Sequence, residues 1–273
     1  MCVGLDPVVE RLPDQVPGDV PIGRIERWCM GVLEAVADHV PAVKPQLACF
    51  ERYGSAGLAV YERVVGRAKE LGLIVIADGK RGDIGLSSAH YAAGLLTGPS
   101  AADALTVNPY LGADGLQPFV DTAQAHGAGL FALVRTSNPG GDALQGLKLE
   151  DGRTVSEAVG QMVREMGACR PGCVGRSGYS LLGAVVGATK PTDAAVLRRV
   201  MPEQLFLVPG FGAQGGGAED VRACFKPDGT GALITASRSV IYAHEKTPGG
   251  DWKTSVAHAA EQFNRDIARI LSD

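Results

Sequence analysis

Apolar residues in this chain gather in short continuous runs rather than in strict alternation. Such runs lie at 2–6, 42–47, 73–80, 104–108, 130–137, 182–189, 205–210 and 232–240. A strand covered on both faces reads this way, as in a parallel sheet flanked by helices. The stretches between them carry helical period, at 24–39, 55–71, 87–96, 115–126, 154–165, 193–200, 219–225 and 252–271. Leu58, Tyr61, Val65 and Ala68 mark one apolar stripe, and Val256, Phe263, Ile267 and Ile270 another. Eight strands alternating with eight helices predict an α/β chain folded as a single (β/α)8 TIM barrel over residues 1–273. A doubly wound open sheet is the alternative, and the number of units favours closure. Two connections are long. The first, 138–152, follows strand five with Pro139, Gly140 and Gly141, and is expected to form a lid-like insertion at about 138–153. The second, 167–180, precedes strand six and is expected only to connect.

Composition narrows the class. Hydrophobic residues are 45% and charged residues 21%, enough to fill a core and too apolar for disorder. The net charge is −4, with no basic surplus to suggest nucleic acid or an anionic membrane. A phosphorylated metabolite needs only a local group of cations, so it stays open. No apolar run approaches the roughly 18 residues of a membrane span, and no basic-then-apolar leader opens the chain. The expectation is a soluble cytoplasmic protein. The six cysteines are scattered, and Cys169 and Cys173 lack nearby histidines to complete a zinc site. Buried thiols are the simpler reading. His90 is expected to serve packing or an interface, and Trp28 and Trp252 to pack helices on the barrel.

Polar residues concentrate at the C-terminal ends of the strands, where barrels of this class carry function. Asp6 ends the first strand, and Lys44 lies on the second. Strand three ends Asp78-Gly-Lys80-Arg-Gly-Asp83-Ile84, strand four Asn108-Pro-Tyr110, and strand five Arg135-Thr-Ser137-Asn. Asp78 and Lys80 are two apart, so regular strand geometry puts them on one side. With Lys44 they make a cation, anion, cation array, which suits protonating a carbanion or repelling a substrate anion. A buried ion-pair network is the plainer reading, but two lysines at a strand mouth are costly to desolvate without good pairing. Strand seven ends Pro209-Gly210-Phe-Gly-Ala-Gln214-Gly215-Gly216, which matches G-x-G-x-x-G. Its late position argues against a dinucleotide fold. Barrels place phosphate after strands seven and eight, and Arg238, expected at the end of strand eight, offers a fork for a dianion.

Taken together, Asp78-x-Lys80-x-x-Asp83-Ile84, Lys44, Asp6 and the Pro209-Gly-x-Gly-Ala-Gln214-Gly-Gly loop resemble orotidine 5′-phosphate decarboxylases. Arg135-Thr-Ser-Asn-Pro-Gly-Gly141 and Asn108-Pro-Tyr-Leu-Gly112 resemble the longer bacterial subgroup. The resemblance implies conversion of orotidine 5′-monophosphate to uridine 5′-monophosphate and CO2, the last step of pyrimidine nucleotide synthesis, with no metal or organic cofactor. It implies that Lys80 protonates C6, that Asp78 sits by the departing carboxylate, and that Lys44 orients Asp78 and contacts the ribose. Asp83 and Ser87 would reach the neighbouring site of a homodimer. Asp6 would bind a ribose hydroxyl, Ser137 the pyrimidine, and Gln214 and Arg238 the phosphate, with Ile84, Pro209, Gly210 and Gly215 also against substrate. Two departures stand out. Ser237 replaces the glycine common before the phosphate arginine, and strand one begins at residue 2, without the N-terminal helix usual in the family.

Three other readings compete. A sugar-phosphate decarboxylase or aldolase-like relative shares D-x-K-x-x-D but places a carboxylate on strand two for Mg²⁺, where this chain has Lys44, a poor metal ligand. A phosphometabolite-binding barrel with lapsed catalysis would be expected to lose Lys80 or Asp78. A nicotinamide oxidoreductase is disfavoured by the placement of the glycine loop.

Overall fold

The computed structural model describes residues 1–168, 171–211, 218–247 and 249–272. In chain order it contains β1 (Cys2–Leu5), α1 (Pro21–Val36), β2 (Ala42–Pro45), α2 (Ala48–Glu51), α3 (Gly54–Glu70), β3 (Ile74–Arg81), α4 (Gly85–Leu96), β4 (Ala104–Val107), α5 (Ala113–His126) and β5 (Gly129–Arg135). There follow α6 (Asp142–Gln145), α7 (Val155–Ala168), β6 (Leu182–Val186), α8 (Pro191–Val200), β7 (Phe206–Val208), α9 (Ala218–Arg222), β8 (Ala232–Ala236), α10 (Arg238–Ile241) and α11 (Trp252–Ser272). The strands follow one another in chain order as a closed barrel, and the registered pairs are parallel. Continuous apolar runs form these strands because both faces are covered.

By internal contact the chain divides into two units. The first comprises Met1–Gly79, Pro99–Ala102 and Ala236–Asp273. Within it β1 lies beside β2 in the register Gly4 to Lys44. Trp28 of α1 is fully buried and stacks on Tyr242, with ring centroids 5.4 Å apart. Gly31 lets α1 approach Trp252, since a Cβ there would lie 2.5 Å from the indole. The expected stripe on α11 is buried at Val256, Phe263, Ile267 and Ile270. On α3 the expected stripe needs correction. Val60, Tyr61, Val64, Val65 and Ala68 are buried, whereas Leu58 faces solvent.

The second unit comprises Lys80–Gly98 and Asp103–Thr235. Its core includes Leu105, Leu116, Phe119, Leu130 and Phe206, all buried. Arg198 of α8 donates to the carbonyls of Met201, Gln204, Cys224 and Gly231 and lies 3.5 Å over the Phe206 ring. Burial pulls its pKa down to about 10, and these carbonyls replace the lost water. The segment after β5 is tied back. Arg135, buried, pairs with Asp142 of α6 and, at 2.7 Å, with Asp193 of α8. Gln145 accepts the Thr136 amide at 2.9 Å and donates to its hydroxyl at 2.8 Å.

Candidate active site

In the first unit, β2 and β3 bury an ion pair. Lys44 donates to Asp78 Oδ2 at 2.5 Å, and both residues are only 6% exposed. Gln46, two residues on from Lys44, donates to the same oxygen at 3.1 Å. Burial alone would push the Lys44 pKa down. The charges of Asp78 and Asp6 outweigh it, and the net direction is up. The lysine is therefore a held cation between two carboxylates. Asp6 follows β1, and its backbone carbonyl accepts from the Tyr242 hydroxyl at 2.9 Å. That hydroxyl also accepts the Val8 amide at 2.8 Å. Asp6 Oδ1 is buried with no hydrogen-bond partner among the described residues.

The end of strand eight differs from expectation. β8 stops at Ala236, and the exposed Arg238 opens the short helix α10. The apolar residues at 240 and 241 that suggested a longer strand are the buried face of that helix. Ser237 is accommodated by β1. A Cβ on Gly4 would lie 1.9 Å from Ser237 Oγ, so the absent side chain of Gly4 makes room for the serine.

In the second unit, Lys80 is the next-to-last residue of β3 and is exposed. Its φ is 46°, the one positive value at a non-glycine among the described residues. A residue with a Cβ adopts this region at a cost of about 1–2 kcal/mol, and such strain collects at functional sites. The Lys80 amide donates to Thr106 Oγ1 at 2.9 Å. Beyond it, the Asp83 carboxylate accepts the Ile84 amide at 2.8 Å, and the Asp83 carbonyl accepts the Ser88 hydroxyl at 2.5 Å. Ile84 and Ser87 are exposed.

Ser137 follows β5. Its carbonyl accepts from Thr189 at 3.3 Å, and its backbone packs 2.9 Å from where a Cβ of Gly187 would stand. Pro209 and Gly210 follow β7, and the Pro209 carbonyl accepts the Ala188 amide at 2.9 Å. Gly210 has φ 99°, a turn only glycine makes cheaply. Gln214, Gly215 and Cys169 lie outside the described residues.

The family model for orotidine 5′-phosphate decarboxylase / HUMPS family matches residues 1–248. The chain belongs to that family. A Deinococcus radiodurans orotidine 5′-phosphate decarboxylase is 44% identical, over 94% of this chain and 89% of that protein. The Rhodopirellula baltica orotidine 5′-phosphate decarboxylase is 42% identical over 97% of this chain and 93% of its own. The structure of Leishmania donovani OMP decarboxylase superposes with a TM-score of 0.80 at 31% identity, covering 100% of this chain and 94% of that one. By this kinship the chain is an orotidine 5′-phosphate decarboxylase, a carboxy-lyase. No helix among the described residues is long and apolar enough to cross a membrane.

Sequence reasoning missed Gln46, Thr106 and Tyr242. Gln46 had a signal, since it sits two residues from Lys44 and so shares its side of an extended strand. Thr106 was the one hydroxyl in the apolar run Ala104–Val107. Tyr242 had none, because its two backbone partners are more than 230 residues away.

Proposed function

We propose that the protein converts orotidine 5′-monophosphate to uridine 5′-monophosphate and CO2 without a metal, with Lys80 delivering the proton to C6. The bond from C6 to the carboxyl carbon breaks, CO2 departs, and the electron pair stays on C6. The Lys80 ammonium then gives its proton to that carbon, and solvent restores it. An ammonium about 4 Å from the developing carbanion contributes on the order of 4 kcal/mol at an effective dielectric near 20. Enzymes lower barriers by roughly 8–23 kcal/mol, so one lysine is not enough. Preorganised charge must supply more. The buried Lys44–Asp78 pair, two residues before Lys80 in the same strand sequence, is the observation that carries this reading. A charge pair already desolvated does not reorganise when the substrate changes charge.

The other assignments follow the family residue by residue. Asp78 faces the leaving carboxylate, and Lys44 orients it and meets the ribose. Asp6 takes a ribose hydroxyl, which its orphaned Oδ1 would accept. Ser137 contacts the pyrimidine, and the insertion at about 138–153 closes over it. Pro209, Gly210, Gln214, Gly215 and Arg238 hold the phosphate end, whose binding energy serves the reaction at the far ring. Asp83, Ile84 and Ser87 act across a homodimer. Large apolar side chains exposed on the α4 segment (Ile84, Leu86 and Tyr91) and on the Pro109–Leu111 turn (Tyr110 and Leu111) support that assembly. The setting is the cytoplasm, in pyrimidine nucleotide synthesis.

The test is the ultraviolet absorbance of orotidine 5′-monophosphate with the protein in excess chelator. Turnover should persist, and Lys80→Ala should abolish it while leaving uridine 5′-monophosphate binding. Loss of turnover on chelation would favour a metal-dependent sugar-phosphate lyase instead.

A further inference from the structure

Thr106 is an odd choice for its place. It is 1% exposed in β4, between Leu105 and Val107, both fully buried. Valine has nearly the same shape and no hydroxyl to satisfy, so packing alone would favour it. The hydroxyl is used, because its oxygen accepts the amide of Lys80 at 2.9 Å.

That amide belongs to a residue in an unusual state. Lys80 has φ 46° although glycines stand close by on both sides, at 79 and 82. Either could take a left-handed turn without strain, yet the chain places it on the lysine. Reversing φ redirects the bond from Cα to Cβ, so the aim of the ammonium depends on this backbone state. Here a side-chain hydroxyl of β4 accepts the strand amide. One residue later the Asn108 amide donates to the Arg81 carbonyl at 2.7 Å. Gly82 completes the arrangement, since a Cβ there would lie 2.9 Å from the Asn108 carbonyl oxygen. Lys80 is thus gripped at its amide by Thr106 and followed at once by a tight backbone contact.

We propose that Thr106 is a positioning residue for the proton donor: its hydroxyl holds the left-handed backbone of Lys80 and thereby aims the ammonium at the reacting carbon. This rests on the assignment of Lys80 above. Thr106 acts through Lys80, so its loss affects the chemical step more than nucleotide binding. A displacement of about 1 Å at a reacting group can cost on the order of 100-fold in rate.

The experiment compares Thr106→Val, Thr106→Ala and Thr106→Ser with the wild type and Lys80→Ala. It reads kcat and KM for orotidine 5′-monophosphate, Kd for uridine 5′-monophosphate, and the thermal midpoint. Thr106→Val should lower kcat about 10- to 100-fold, with KM and the nucleotide Kd within about threefold of wild type. Thr106→Ser keeps the acceptor and should restore kcat to within about threefold. If Thr106→Val does not fold, Thr106→Ala carries the same expectation. Wild-type kcat in Thr106→Val, equal damage in the serine variant, or nucleotide binding lost in step with kcat would each overturn the proposal. The parent reading fails separately. Turnover retained in Lys80→Ala removes the proton donor itself, whereas an inactive Lys80→Ala beside a fully active Thr106→Val removes only the role of Thr106.

Discussion

Lys44 and Asp78 pose the sharpest energetic question of any two residues here. Each buried ion alone would cost several kcal/mol, and the pair is stable only because the partners and Gln46 meet at hydrogen-bonding distance. Lys44→Met should therefore lower unfolding stability by about 3–5 kcal/mol, measured by urea denaturation at pH 7. The pH dependence has a definite sign. The folded pKa of Lys44 is raised by Asp78 and Asp6 against the opposing pull of burial. Its stabilisation is thus complete below the ordinary lysine range and is lost as pH rises through the folded value. Wild-type stability should fall above about pH 10.4 through this group, and the methionine variant should lack that component. Gly4 and Ser237 form a second coupled pair. Gly4→Ala should destabilise by about 1–3 kcal/mol through overpacking, because its Cβ meets Ser237 Oγ. Ser237→Gly in the same chain should recover most of the loss. A double-mutant cycle with no coupling energy would contradict that contact.

Among the elements, α7 is the one whose start the chain spells out most clearly. Thr154 and Glu157 form a reciprocal capping box. The Glu157 amide donates to Thr154 Oγ1 at 3.1 Å, and the Thr154 amide donates to Glu157 Oε2 at 2.6 Å. Thr154→Ala should cost about 1 kcal/mol of stability, seen as a lower denaturant midpoint at unchanged slope. The amide and hydroxyl of Thr154 hold the Glu157 pKa below its usual value. That contribution is present above the ordinary glutamate range and fades as pH falls, so the difference between the two proteins should shrink in acid. Other element boundaries followed less from local chemistry. The runs read as strands five, six and eight continued past the observed ends at Arg135, Val186 and Ala236. Apolar content marks a buried segment without saying where pairing stops. α6 and α10 are four-residue helices, too short for a period to register.

At the scale of the whole molecule, the exposed apolar residues of the α4 segment and of Pro109–Leu111 predict self-association. Leu86 and Tyr110 are 75% and 76% exposed. The double variant Leu86→Glu, Tyr110→Glu should run as a monomer by light scattering. It should also lose at least about 10-fold in kcat/KM, since Asp83 and Ser87 could no longer complete the partner's site. A monomeric wild type, or a monomeric variant of full activity, would refute that assembly. What the sequence alone determined is the order of eight strands and their helices, and the residue types standing at the strand ends. Those follow from periodicity and short motifs, which act over a few neighbouring residues. The tertiary structure decided the rest: that Lys80 turns left-handed on a hydroxyl of the next strand, that Gly4 makes room for Ser237, and that Tyr242 ties down the backbone at Asp6. Each depends on atoms brought together from distant parts of the chain. Close packing sets which of them touch, and no local pattern encodes that.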